Sequence, residues 1–102
     1  MNSRSGLNDS DIQRLCAVFQ KHPEISRVLL YGSRALGTFK PGSDIDIVIV
    51  GDVSEKKLSH LANELDDLLL PYLIDIAIYD RIQNPELKSH IDRVGLPLFE
   101  RS

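Results

Sequence analysis

Apolar side chains recur every three or four residues in three stretches of the chain, and this period predicts three amphipathic helices. The first begins at a cap formed by Asp9 or Ser10 and ends at His22-Pro23, because the residue before a proline avoids the helical region. The second follows a Ser54 cap and extends to Pro71. Its apolar face is predicted to contain five leucines: Leu58, Leu61, Leu65, Leu68 and Leu69.

The third helix is marked at both of its ends. Asn84 is a suitable cap, Pro85 suits the first helical position, and Gly95 suits the end. A shorter helical turn is predicted directly after Gly32, within the sequence SRALG. Residues 1–8 are polar and are expected to be flexible.

Three apolar runs predict β-strands near residues 26–31, 44–50 and 73–79. The later run LPLFE predicts either a short edge strand or a segment that simply packs on the core. Helices and strands alternate along the chain, so the expected fold is α/β (α+β), with a small mixed β-sheet flanked by helices and the three strands adjacent. The length of 102 residues suits a single domain spanning residues 1–102.

Composition and charge narrow the class of protein. The chain is 42% hydrophobic and 26% charged, as in an ordinary soluble globular protein, and its net charge of −3 argues against direct binding of nucleic acid. No apolar run is long enough to cross a membrane, and the N-terminal sequence lacks the apolar segment of a secretion signal. The single cysteine, Cys16, excludes a disulfide framework or a zinc cluster, so the expected location is the reducing cytoplasm.

Two aspartates stand at the start of the most apolar strand. Asp44 and Asp46 share one face, about 7 Å apart along the backbone, while the isoleucines beside them face the core. Asp75 lies on the same side if the later strand also turns its isoleucines inward. Three carboxylates on one patch repel each other unless a cation neutralises them, and they suit Mg²⁺ or Mn²⁺ shared with substrate phosphates. The pattern indicates the two-metal chemistry of in-line phosphoryl or nucleotidyl displacement; the alternative is an exposed sheet face with solvated acids.

A glycine–serine turn, Gly32-Ser33, follows the first strand. Backbone N–H groups at such a turn, together with the serine hydroxyl, can hold a phosphate. Arg34 can add a bidentate fork, and Lys40 a point charge, for a triphosphate. A turn of this kind is by itself more often only a turn, and its spacing is not that of a Walker A loop. These four residues are the candidates for nucleotide binding.

The spacing between the turn and the acids adds specificity. Gly32-Ser33, ten intervening residues and Asp44-Ile45-Asp46 resemble the signature of the nucleotidyltransferase superfamily, most closely its minimal form, the MNT domain. The segment GSRALGTFKPGSDIDIVIV is similar to that family along its whole length, and Asp75 in LIDIAIYD falls where the third carboxylate of the family falls. With the preceding helix and strand, the resemblance covers most of the chain.

The resemblance implies the nucleotidyltransferase fold and a specific division of roles. A nucleotide would be held by its triphosphate at Gly32 and Ser33, and metal ions would bind the three aspartates. Asp75 would also help to activate the attacking hydroxyl. The chain departs from the family at Leu36, where members often have a basic residue, so phosphate neutralisation would depend on Arg34, Lys40 and the metals.

The resemblance also implies a protein partner. Larger nucleotidyltransferases have a helical domain that grips the acceptor, whereas here one predicted helix follows the third acid. Stand-alone MNT proteins typically pair with an all-helical HEPN protein and act as antitoxins, and active ones transfer AMP from ATP onto a tyrosine of that partner. Two alternatives remain: a non-catalytic subunit that binds nucleotide or blocks its partner, and a transferase acting on a small-molecule hydroxyl. The scattered histidines, His22, His60 and His90, are interpreted as surface or packing residues.

Overall fold

A computed structural model describes residues 6–40 and 42–101, which form one mixed four-stranded sheet with helices on both of its faces. The helices are α1 (Asp9–Gln20), α2 (Ser33–Leu36), α3 (Glu55–Asp66) and α4 (Pro85–Val94), with a 3-10 turn at Tyr79–Arg81. The strands are β1 (Ile25–Tyr31), β2 (Ile45–Gly51), β3 (Ile74–Ile78) and β4 (Leu96–Glu100). None of the helices in this described part combines the length and apolarity that a membrane span requires.

The strand order is β3-β2-β1-β4, so the three strands predicted to be adjacent are adjacent. β1 runs antiparallel to both β2 and β4, whereas β2 and β3 are parallel. The run LPLFE is therefore a strand at the sheet edge. β2 occupies a central position and is covered on both faces, which explains why it reads as a nearly continuous apolar run.

The two faces of the sheet bury different side chains. One face carries the alternating isoleucines of β2 and packs against α1 and α3, which contribute Leu15, Phe19 and Leu61 to the larger core. The other face carries Leu29 and Val48, which pack against Ile91 of α4. The prediction that the isoleucines face the main core is confirmed. The face that carries the aspartates is consequently the face that α4 covers.

The start of α1 differs from the prediction. The cap is Asn8 rather than Asp9 or Ser10, and its side-chain oxygen accepts a hydrogen bond from the Asp11 N–H at 2.8 Å. Leu7 is only 3% exposed and packs into the main core. A buried leucine and a cap thus tie residues 7 and 8 to the fold. The flexibility expected of residues 1–8 stays a prediction, and residues 1–5 lie outside the described residues.

Local sequence signals predict the starts of α3 and α4 correctly but not the end of α3. The predicted caps Ser54 and Asn84 are confirmed, since each side chain accepts hydrogen bonds from N–H groups in the first turn of its helix. α3, however, ends at Asp66 rather than at Pro71. Leu69 lies in the left-handed region with φ of 56° and is 87% exposed, so its predicted place on the apolar face is wrong. The chain leaves the helix at the Asp67 cap, and β3 pairs with β2 from Ile74 onward.

Candidate active site

The candidate site lies at the edge of the sheet where β1 ends and β2 and β3 begin. Because β1 is antiparallel to β2 and β3 is parallel to it, these three strand ends meet at one edge. Tyr31 is paired with Asp46, and Asp46 with Asp75, so the three side chains form a row across neighbouring strands. The next row on that face is apolar and is covered by α4. The two aspartates thus lie side by side at the margin of a buried surface.

Asp44 interacts electrostatically with this pair. Asp44 is exposed and directly precedes β2. Partial burial raises the pKa of Asp46, and the negative charges of Asp75 and then Asp44 raise it further. Burial likewise raises the pKa of the Tyr31 hydroxyl, with further contributions from the Asp46 and Asp75 carboxylates. The structure therefore concentrates negative charge at this edge of the sheet.

The three aspartates do not form a closed metal cage. Among residues 6–40 and 42–101, no three His, Cys, Asp or Glu side chains are grouped so that they could hold a metal ion. Mg²⁺, however, is commonly held by only one or two carboxylates together with substrate phosphates. Carboxylate oxygens are the donors it prefers. The pKa of Asp46 is raised first by burial and then by the charges of Asp75 and Asp44, and a cation would offset those charges. The donor set fits a divalent cation that is also bound by a nucleotide.

The glycine–serine turn meets the acids at Gly32. This residue has φ of 73° and ψ of −151°, a conformation that is essentially restricted to glycine. A Cβ atom built there would lie 2.6 Å from Oδ2 of Asp46, so the carboxylate approaches the backbone of the turn closely. Ser33 follows as the half-buried first residue of α2. The structure therefore brings Gly32, one of the predicted phosphate-binding residues, next to the second acid.

His90 is a neighbour of the turn that the sequence reasoning missed. The backbone N–H of Gly32 donates to Nε2 of His90 at 3.3 Å, and the imidazole meets the Tyr31 ring edge-on at 6.4 Å between centres. The interpretation of His90 as a mere packing or surface residue is therefore incomplete. Its spacing was the available signal, since it stands three residues after Leu87 and next to Ile91, on the side of α4 that faces the sheet.

Arg34 does not offer the phosphate fork that the sequence suggested. The residue is 2% exposed, and its Nη2 and Nε groups donate to the carbonyl oxygen of Ser43 at 2.8 and 3.3 Å. The guanidinium carbon lies 5.2 Å from the centre of the Phe39 ring and 4.7 Å from that of Tyr72. This expectation is corrected because the guanidinium is directed into the protein, where these groups already engage it.

Lys40 lies on the loop that leads to the acids. Its backbone N–H donates to Oγ of Ser43 at 2.8 Å, and its carbonyl oxygen accepts from the Ser43 N–H at 2.9 Å. The residue is exposed, so its ammonium group is accessible from solvent. Of the two predicted cations, Lys40 is the exposed one.

The other two histidines lie away from the acids: His22 contacts α3, and His60 is part of it. His22 is 6% exposed, with Nε2 2.6 Å from Oε1 of Glu64 and Nδ1 3.5 Å from Glu24. His60, exposed on α3, meets the His22 ring edge-on at 6.2 Å between centres. These contacts agree with the interpretation of His22 and His60 as packing and surface residues.

Comparisons with known proteins bear on the family and the fold. The family model described as polymerase beta, nucleotidyltransferase matches residues 13–102. The chain is similar to a toxin–antitoxin structure with AMP-PNP, at 24% identity and a TM-score of 0.70, over 94% of this chain and 76% of that one. It is also similar to the structure of a tri-AMPylated Shewanella oneidensis HEPN toxin in complex with its MNT antitoxin, at 17% identity and a TM-score of 0.69, over 93% and 74% of the respective chains.

A third similar structure is the toxin–antitoxin MntA-HepT, at 18% identity and a TM-score of 0.69, over 92% of this chain and 74% of that one. No curated protein sequence matches the chain at a significant level. At these identities, the similar structures establish the fold alone. The predicted nucleotidyltransferase fold is confirmed.

Proposed function

Because this chain belongs to the nucleotidyltransferase family, we propose that it transfers AMP from ATP onto a tyrosine hydroxyl of a HEPN-family partner, and that it acts as the antitoxin of that partner. The observation that carries this proposal is the arrangement at the sheet edge, where Asp46 and Asp75 lie side by side next to the Gly32 turn. Support comes from the similar structures, one of which is a toxin–antitoxin with AMP-PNP and another a tri-AMPylated HEPN toxin with an MNT antitoxin. We place the reaction in the cytoplasm, where ATP is available.

Each candidate residue has a role in this proposal. Gly32 and Ser33 bind the phosphates through backbone N–H groups and the serine hydroxyl, and the exposed Lys40 adds positive charge. Asp44 and Asp46 would hold Mg²⁺ or Mn²⁺ at the start of β2. That cation would supply positive charge to neutralise the phosphates during the displacement. The carboxylate of Asp46 is partly buried and lies close to the Gly32 turn, so a cation bound there would also lie close to the turn.

The proposed reaction is a displacement at the α-phosphorus of ATP. The tyrosine oxygen of the partner forms a bond to that phosphorus, and the bond from phosphorus to the oxygen bridging the α- and β-phosphates breaks, so pyrophosphate leaves. Asp75 is exposed and paired with Asp46, a position from which it can accept the hydroxyl proton. The product is a tyrosine that carries AMP through a phosphodiester bond.

One observation favours a second candidate function. In the described residues, the three aspartates are not grouped so that they could hold a metal ion by themselves. A subunit that only binds nucleotide, or only blocks its partner, does not need such a group. The two candidates differ in what happens to the partner. A transferase changes the covalent mass of the partner, whereas a blocking subunit does not.

Intact-mass spectrometry of the partner tests the proposal directly. The chain is mixed with its HEPN partner, ATP and Mg²⁺, and the partner is expected to gain the mass of one or more AMP units. Asp75→Ala should slow transfer by about 10²-fold or more, because it removes the proposed general base, while the complex between the two proteins persists. Asp80→Ala serves as the matched control, since Asp80 is an exposed acid in the turn after β3.

The alternative, a subunit that only blocks its partner, predicts the opposite result for the same samples. If the chain only blocks its partner, no mass is gained, and Asp44, Asp46 and Asp75 can be replaced without loss of inhibition. That pair of results would exclude the transferase.

A further inference from the structure

Arg34 is buried to a degree that is unusual for an arginine. In the described part of the chain, the buried polar or charged residues are Asp11, His22 and Arg34. Arg34 is only 2% exposed. Removing a guanidinium from water is costly unless hydrogen bonds and close contacts compensate for the lost hydration. The groups that surround this guanidinium therefore show what the burial achieves.

Those groups come from separate segments of the site. The side chain starts on α2, one residue after Ser33 of the phosphate turn. It crosses to the loop that precedes β2, where it holds the carbonyl oxygen of Ser43 with two N–H groups and lies near the Phe39 ring. It also contacts the ring of Tyr72, three residues before Asp75. The side chain of Arg34 thus links three segments: the helix that follows the phosphate turn, the loop before Asp44, and the segment before Asp75.

The contact with Ser43 bears on Asp44 in particular. Ser43 is held at three atoms, because its carbonyl accepts from the guanidinium, its N–H donates to Lys40 at 2.9 Å, and its hydroxyl accepts from the Lys40 N–H at 2.8 Å. On the other side of Asp44, the Ile45 N–H donates to the carbonyl of Leu73 at 2.8 Å. The exposed Asp44 is therefore held in place through the backbone of both neighbours.

We propose that Arg34 is a positioning residue, which orients the peptide between Ser43 and Asp44 and so sets the first acid relative to the phosphate turn. It acts through the backbone and touches no substrate. A planar guanidinium can donate two N–H groups to one carbonyl while its carbon lies 4.7 and 5.2 Å from the centres of two rings, so lysine is not an equivalent replacement. The consequence for metal binding rests on the proposed function, whereas the local order that Arg34 provides does not.

Amide hydrogen exchange in the nucleotide-free protein tests the local order. Arg34→Lys is expected to speed exchange of the Ser43 and Ile45 amides by about tenfold relative to amides in the middle of β2, because local opening becomes easier. Val18→Ala is the matched control, since it removes methyl groups from the core under α1 and should not affect these two amides selectively. Tyr72→Leu, which keeps the arginine but removes one ring, is expected to give a smaller change in the same direction.

A Mg²⁺ titration tests the consequence for the acids. At a constant ATP concentration, Arg34→Lys should need about tenfold more Mg²⁺ than the wild type to reach half of the thermal shift. Val18→Ala should lower the melting temperature without changing this Mg²⁺ requirement. The readout is binding, so it does not depend on turnover or on the partner.

The outcomes separate this inference from the proposed function. Wild-type exchange rates at Ser43 and Ile45 in both Arg34→Lys and Tyr72→Leu would overturn it. Faster exchange with an unchanged Mg²⁺ requirement would also overturn it, because Arg34 would then order a loop without positioning the acid. If the wild type shows no thermal shift with Mg²⁺ and ATP, the proposed function fails, while the exchange measurement still decides whether Arg34 holds the peptide.

Discussion

Replacing Asp46 by asparagine should stabilise the nucleotide-free protein while abolishing its response to nucleotide. Asp46 is paired directly with Asp75, and like charges that face each other on adjacent strands are destabilising. We take the cost to be about the size of a favourable cross-strand pair, about 0.2–1 kcal/mol. Asp46→Asn removes this repulsion and keeps the size of the side chain. For a domain of this length, the gain corresponds to a rise in melting temperature of about 1–8 °C.

The pH dependence follows from the direction of the pKa shift. Folding raises the pKa of Asp46 because the carboxylate is partly buried and lies near Asp75 and Asp44. The ionised form therefore opposes folding, and the penalty is fully present above the folded-state pKa. It diminishes as the pH falls through that value and is absent below the ordinary value of 3.8. The stability gap between Asp46→Asn and the wild type should close over the same interval.

Thermal unfolding with and without Mg²⁺ and ATP measures both effects. A ligand at 100 times its dissociation constant stabilises the wild type by about 2.7 kcal/mol, and Asp46→Asn should lose this stabilisation. Asp52→Asn is the matched control, because Asp52 is exposed beyond the opposite end of β2, and its effect should stay within about 0.5 kcal/mol. A nucleotide response that persists in Asp46→Asn, or a nucleotide-free variant less stable than the wild type, would refute the reasoning.

Two further substitutions test other parts of the structure. Gly32→Ala should cost about 1–3 kcal/mol through backbone strain and should also weaken the nucleotide response, because the new Cβ displaces the Asp46 carboxylate. Gly37→Ala has a similar positive φ but open space around the new Cβ, so an equal loss of response in a thermal-shift assay would contradict this explanation. Glu64→Gln should cost about 0.2–1 kcal/mol at pH 7 in urea unfolding, because hydrogen bonding from Lys21 lowers the pKa of Glu64. The depressed pKa means that this stability is lost as the pH falls, so a gap that persists at pH 3 would count against it.

Local signals in the sequence determined most of the secondary structure. The caps Ser54 and Asn84 act on N–H groups within three residues of themselves, so their role can be read without any knowledge of the fold. The alternation in β2 likewise identifies which side chains face the core, because successive residues in a strand point to opposite faces. The placement of Asp46 on the other face follows from the same rule, whereas Asp44 directly precedes the strand.

Contacts between distant residues decided the features that the sequence did not reveal. Gly32 and His90 are separated by 58 positions, and their hydrogen bond exists only because α4 packs across the face of β1 and β2. α3 stops at Asp66 rather than at Pro71, and Leu69 adopts a left-handed conformation that the helical period does not reveal.

Arg34 shows most clearly where sequence reasoning ends. Its position beside a phosphate-type turn suggested a ligand for phosphate, since an arginine there has the right charge and geometry. The direction of its side chain depends on two aromatic rings and one carbonyl, and the Tyr72 ring among them is contributed by a segment far along the chain. Residue type and spacing determine which chemistry is available at a position. Only the tertiary structure decides whether that chemistry faces a substrate or holds the protein together, because burial and partners are properties of the packed chain.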